Sequence, residues 1–155
     1  DYINDDRIVY TFHFYLPHLF THQGASWEKA MHELNFKIKY PVGPEDYEKY
    51  MQLSEGFRKS YQISDNMGKD YLREALKPAL EFAAERKVAL YCGEYGVIDT
   101  ADMDSRLRWH EDFCSLLIEY GIGRAVWSYK LMNFAIVDAA SKVINEDLIK
   151  IVSAK

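Results

Sequence analysis

Three stretches of the chain read as buried strands, each followed by a helix. Residues 7–15 (RIVYTFHFY), 87–98 (KVALYCGEYGVI) and 123–130 (GRAVWSYK) are short apolar runs rich in β-branched and aromatic residues. That composition fits parallel strands covered on both faces. Pro17 closes the first run. Residues 70–86 carry Leu72, Leu76, Ala79, Leu80 and Ala83 at helical spacing, and residues 105–120 carry Leu107, Trp109, Phe113, Leu116 and Leu117 in the same way. Pro78, inside the first of these helices, is expected to kink it or to mark its true start. Gly121 is placed to stop the second. Asn145 is placed to cap a last helix over residues 146–154. Strands alternating with helices mean parallel βαβ units, an α/β fold.

Residues 18–68 interrupt the alternation as a long insertion after the first strand. They hold turn signals at His22-Gln23-Gly24 and from Pro41 to Pro44, and they predict a helix over residues 45–61. A connection of this length in a compact domain is functional or disordered. Trp27, Phe36, Tyr40, Tyr47 and Tyr50 favour a folded segment, because disordered chains are poor in aromatics. There is no internal repeat and no low-complexity tract.

Alternation along the strands says where chemistry would sit. On the first strand Val9, Thr11, His13 and Tyr15 share one face, and Ile8, Tyr10, Phe12 and Phe14 share the other. On the second, strict alternation puts Val88, Leu90, Cys92 and Glu94 together; on the third it pairs Ala125 with Trp127. Each strand thus places its unusual residue near its C-terminal end. Barrels and open doubly wound sheets both build their sites there. The pattern indicates a site drawn from several strands without naming a reaction.

Composition narrows the choice of ligand. The chain has 155 residues, enough for one domain with a core, and its 48% hydrophobic and 28% charged residues are ordinary for a globular protein. Aromatics reach 15%, with twelve tyrosines and three tryptophans. That suits a large core or a surface that stacks on flat ligands such as sugar rings. A net charge of −5 without a basic stripe argues against nucleic acid or an anionic membrane as partner. No apolar run is long enough to span a bilayer, and no signal peptide is legible. The opening DYINDDRIVYTF, without an initiator Met, suggests a cut inside a longer protein. Cys92 and Cys114 lack metal-ligand spacing, so two buried free thiols are expected rather than a disulfide. Asp99, Asp102 and Asp104 lack the glycine and distal glutamate of a calcium loop, and helix capping before Ser105 is preferred.

Three motifs resemble a known family. HFYLPHLFTHQGASW (His13 to Trp27) resembles the sixth-strand segment of family 5 glycoside hydrolases, where a His-x-Tyr motif lines the active site. YCGEYGV (Tyr91 to Val97) is similar to the seventh-strand motif that carries the nucleophile. AVWSYK (Ala125 to Lys130) looks like the eighth strand, whose Trp forms a sugar platform. The resemblance implies a cellulase-type retaining enzyme on a (β/α)8 TIM barrel. Glu94 would be the nucleophile, Tyr15 would hold its carboxylate, His13 would join the polar network, and Trp127 would stack beneath the sugar. It implies no metal and no cofactor, a β-glucan or related polysaccharide as substrate, and a secreted or periplasmic parent enzyme.

The family's acid/base, a Glu in an Asn-Glu-Pro motif, has no counterpart here: Asn145-Glu146 is followed by Asp147. The Arg, His and Asn of the family's early strands are absent too. Retention needs two carboxyl groups roughly 5–5.5 Å apart, and this chain offers one. Residues 1–155 are therefore expected to be the C-terminal segment of a barrel catalytic domain, its last three βα units. Open strand edges predict a need for the N-terminal barrel portion or for self-association. Two other functions remain open: a non-catalytic carbohydrate-binding or structural fragment, and a relative acting on mannan or xyloglucan. At the residue level, Glu94 could be a strand-end salt bridge, and His13, Tyr15 and Trp127 could be core residues; the motifs around them favour the site. His22 and Trp27 either bind substrate in the cleft or pin the long loop. Asn133 either hydrogen-bonds sugar or bonds its own loop backbone, and the loop is preferred.

Overall fold

The computed structural model describes every residue except Asp1, Tyr2, Asn4, Asp6, Asn35 and Asp65. Its sheet has three parallel strands in the order β1-β2-β3: β1 is Val9–Phe14, β2 is Ala89–Tyr95 and β3 is Gly123–Arg124. Each strand is shorter than the apolar run that predicts it. Lys87, in the left-handed conformation (φ 55°), ends the preceding helix and delays the start of β2. The third run is hydrogen-bonded beyond its two formal strand residues. Ala125 N donates to Cys92 O at 2.9 Å and Trp127 N to Tyr95 O at 2.8 Å.

Among the described residues, four short helices fill the insertion: α1 (His18–Thr21), α2 (Lys29–Leu34), α3 (Pro44–Met51) and α4 (Glu55–Ser60). The single helix expected over 45–61 is thus two. Ser54 interrupts it by turning its hydroxyl to accept from Phe57 N at 3.2 Å, which caps a new helix. Arg58 donates to Met51 O and Leu53 O at 2.9 and 2.6 Å, occupying carbonyls that the break leaves over. The insertion is packed rather than loose. Tyr40 and Tyr50 are fully buried. The Gln23 amide donates to Phe20 O and Ile38 O and accepts from Ile38 N, all within 3.1 Å.

The long helices are α5 (Lys69–Arg86) and α6 (Met103–Glu119), followed by α7 (Glu146–Ser153). Helix α5 starts at Lys69 and runs through Pro78, so the proline does not mark its beginning. Asp102 caps α6 by accepting from Ser105 N at 2.9 Å. Gly121, at φ 65°, follows that helix as its stop. Asn145 Oδ1 accepts from Asp147 N and Leu148 N and opens α7.

The core lies between the sheet and these helices. Phe14 stacks on Phe113 with centroids 4.4 Å apart, and Trp109 stacks on Phe113 at 5.1 Å. Trp109 Nε1 satisfies Leu16 O at 3.0 Å. Cys92 and Cys114 are both buried and free, and burial raises both thiol pKa values, that of Cys92 to about 12. The opposite face of the sheet is open: Val9 is 55% and Tyr91 38% exposed. No helix among the described residues is long and apolar enough to cross a membrane.

Candidate active site

The site is built where β1 and β2 end. Strict alternation would put Cys92 and Glu94 on one face, and the structure corrects this. Phe12 pairs with Cys92, but His13 pairs with Glu94, so β2 carries one extra residue, Gly93, at a bulge. Cys92 points into the core with Tyr95. Gly93 and Glu94 both turn to the open face. A Cβ on Gly93 would lie 2.7 Å from Thr11 Oγ1 and 3.7 Å from the His13 ring. The bulge therefore swings Glu94 onto the face of Thr11 and His13 without exposing the apolar residues on either side of it.

Glu94 is held through one oxygen. Its Oε2 accepts from Tyr15 OH at 3.1 Å and lies 3.3 Å from His13 Nδ1. Its Oε1 makes no hydrogen bond among the described residues and is left to the cleft. Burial, then the charge and hydrogen bond of Glu94, push the Tyr15 phenol above its ordinary pKa. Tyr15 stays a proton donor as a result. Its ring is fixed edge-on against His22 at 5.0 Å and Phe134 at 5.8 Å.

Tyr15, His22, Trp27, Glu94, Trp127, Met132, Asn133 and Phe134 together line a cleft of about 370 Å³, within the usual range for small-ligand sites. Trp127 reaches it because Gly96 lets the Trp127 carbonyl come in where any Cβ would collide. Trp27, on the insertion, is 55% exposed at the rim. His13 stands beside Glu94 on the open face. Among the described residues, Glu94 is the only carboxylate lining this cleft.

Sequence reasoning missed Met132 and Phe134 and read Asn133 as loop backbone. Asn133 lines the cleft, and its main-chain carbonyl accepts from Asp99 N at 2.7 Å, a bond that involves neither its side chain nor its own loop. Leu131, Met132 and Asn133 all have left-handed backbone, with φ of 65°, 65° and 61°. Such residues cost roughly 1–2 kcal/mol each, and the loop is held in that shape by Ser128, whose hydroxyl donates to Leu131 O at 2.8 Å. Only glycine signals such a turn reliably in a sequence, and none is present here.

Comparison with known proteins gives consistent relatives. A model for Cellulase (glycosyl hydrolase family 5) matches residues 1–133. Endoglucanase C of Acetivibrio thermocellus is 44% identical over 154 residues, which is 99% of this chain and 45% of that protein. Cellodextrinase A of Ruminococcus flavefaciens is 31% identical over 121 residues, 78% of this chain and 29% of that one. A solved hyperthermophilic endo-β-1,4-glucanase in complex with substrate superposes with a TM-score of 0.75 at 26% identity, covering 100% of this chain and 42% of its own. The chain spans a little under half the length of Endoglucanase C.

Proposed function

The chain belongs to glycosyl hydrolase family 5, its three βα units are part of a (β/α)8 barrel, and from that premise we propose that it forms the nucleophile side of a retaining β-1,4-glucanase cleft. Glu94 is the nucleophile. Its Oε1 attacks the anomeric carbon as the glycosidic bond breaks, forming a glycosyl ester, while an acid protonates the departing oxygen. The same group, now a base, takes a proton from water, and that water cleaves the ester. Tyr15 and His13 hold Oε2 so that Oε1 faces the sugar. Trp127 offers its ring beneath the sugar, and His22 and Trp27 contact the chain further along the cleft.

The acid/base belongs to barrel strands outside these 155 residues, and this chain is the C-terminal segment of the catalytic domain. The free edge of β1 is where the preceding barrel strand pairs, and the open face meets side chains of the remaining strands. A polymeric substrate requires the enzyme to work outside the cytoplasm, so the parent protein is secreted or periplasmic.

The observation that carries the proposal is the clasp of Tyr15 and His13 on one oxygen of Glu94, at the C-terminal end of parallel strands, in a cleft with Trp127. Glu94→Gln in the intact protein is expected to abolish hydrolysis of cello-oligosaccharides while binding measured by calorimetry persists. Near-normal turnover by that variant refutes the assignment.

A further inference from the structure

Behind His22 lies a group of polar side chains that the hydrolytic step does not use. Thr21, fully buried, has its Oγ1 3.0 Å from His22 Nδ1 and donates to the main-chain oxygen of Tyr15 at 2.5 Å. A threonine hydroxyl has one proton to give. The short bond to Tyr15 O uses it; the alternative acceptor, His18 O, is at 3.5 Å. Thr21 Oγ1 can therefore only accept from His22, and Nδ1 must carry a hydrogen. Burial and, after it, the neighbouring His18 lower the His22 pKa to about 4, against the opposite pull of Glu28. The neutral ring has one proton, and the hydrogen bond at one nitrogen decides the state of the other. Nε2 is then a bare lone pair on a ring that lines the cleft, with no hydrogen-bond partner among the described residues.

The ring is also held from the side. His18 stacks on it at 4.0 Å with planes 14° apart. His18 Nε2 lies 2.7 Å from Glu28 Oε2, and Tyr61 OH donates to the other oxygen of Glu28 at 2.7 Å. Trp27 and Tyr15 meet the ring edge-on. The brace thus draws on α1, the start of α2 and the end of α4, which gives the insertion a part in the cleft beyond enclosing it.

We propose that Thr21 is a positioning residue that fixes His22 as a hydrogen-bond acceptor, its Nε2 lone pair receiving a proton from a sugar hydroxyl, with His18, Glu28 and Tyr61 holding the ring in place. This rests on the reading of the cleft as a sugar site. A site whose acceptor is fixed favours ligands with a hydroxyl at that position and rejects those without one.

The test is the tautomer of His22 in the intact protein labelled with 15N-histidine, its signals assigned by their loss in His22→Gln. The expected wild-type spectrum has Nδ1 protonated and Nε2 bare. Thr21→Val is expected to move the proton to Nε2 and raise the KM for a cello-oligosaccharide about tenfold, equivalent to 1.4 kcal/mol. Thr21→Ser, which keeps the hydroxyl, is expected to restore both. A wild-type His22 protonated on Nε2 overturns the proposal, and so does an unchanged tautomer in a folded Thr21→Val. If the Val variant does not fold, the wild-type and Thr21→Ser spectra decide. The spectrum needs no substrate, so failure of the hydrolase reading, seen as turnover by Glu94→Gln, is separate from failure of this one.

Discussion

Gly96→Ala is a small change that should do large damage. A Cβ at position 96 would fall inside the contact shell of the Trp127 carbonyl oxygen and press on Phe134 at 3.4 Å. The first obstacle is backbone, which cannot swing aside as a side chain can. The carbonyl must retreat by about 1 Å to reach an ordinary contact. Trp127 N donates to Tyr95 O at 2.8 Å, and that bond is broken or bent by the same movement. Overpacking costs about 1–3 kcal/mol and the hydrogen bond roughly 1 kcal/mol more, so a loss of about 2–4 kcal/mol is expected. Catalysis should suffer too, because a misplacement of about 1 Å can cost roughly 100-fold, and here it moves both Trp127 and Phe134 in the cleft. Gly56 is the control. It lies in α4 with nothing within 4 Å of a new Cβ, so Gly56→Ala should stabilise by about 0.4–1 kcal/mol. The assay is urea unfolding of the intact protein, with kcat/KM on a cello-oligosaccharide. If Gly96→Ala matches wild type in both, the close approach of the Trp127 carbonyl is not what places Trp127 in the cleft.

Tyr15→Phe removes the donor to Glu94 but keeps the ring packing on His22 and Phe134. Bonds to charged groups contribute about 1.5–3 kcal/mol, so kcat should fall roughly 10- to 100-fold with little change in melting temperature, checked by steady-state kinetics and calorimetry. Asp102→Ala removes the α6 cap and should cost about 1 kcal/mol in urea unfolding at neutral pH. Burial raises the Asp102 pKa, but the Ser105 hydrogen bonds and the charges of Arg108 and Lys39 outweigh it and lower the pKa overall. Its contribution is therefore complete above the unfolded carboxyl pKa of about 4 and is lost as pH falls through the folded value. The acid limb of stability should be flatter in Asp102→Asn, which keeps a capping oxygen without the charge. The 155-residue chain on its own, with the outer edge of β1 and the open face around Val9 and Tyr91 uncovered, should associate as concentration rises in sedimentation equilibrium; a cooperatively unfolding monomer at all concentrations would contradict this.

The parallel strands, the three later helices and the caps of the last two were legible because each rests on local chemistry. Asn145, Asp102 and Gly121 signal their ends by side chain or by the lack of one, and the structure uses all three. What escaped the sequence depends on contacts between distant segments. The bulge at Gly93 breaks the period-two rule, since a glycine in a strand does not say which neighbour is the extra residue. Alternation groups Glu94 with Cys92, whose side chain enters the core, and only the bulge brings Glu94 to the open face. The division between α3 and α4 depends on Ser54 turning back to cap, which competes with the helical pattern on either side. Met132 and Phe134 carried no signal, as their position in the cleft comes from a left-handed turn without glycine. Thr21 and Glu28 looked like ordinary insertion residues; their relation to His22 needs the fold of 18–61 around them.

The central claim, that Glu94 is the nucleophile, is tested most directly by trapping the covalent intermediate. The intact protein would be incubated with a 2-deoxy-2-fluoro-cellobioside bearing an activated leaving group, digested, and its peptides sequenced by mass spectrometry. The expected result is one fluorocellobiosyl unit esterified to Glu94, with activity lost in step with labelling. Labelling of a different carboxylate, or a first-formed product of inverted anomeric configuration, would contradict the assignment.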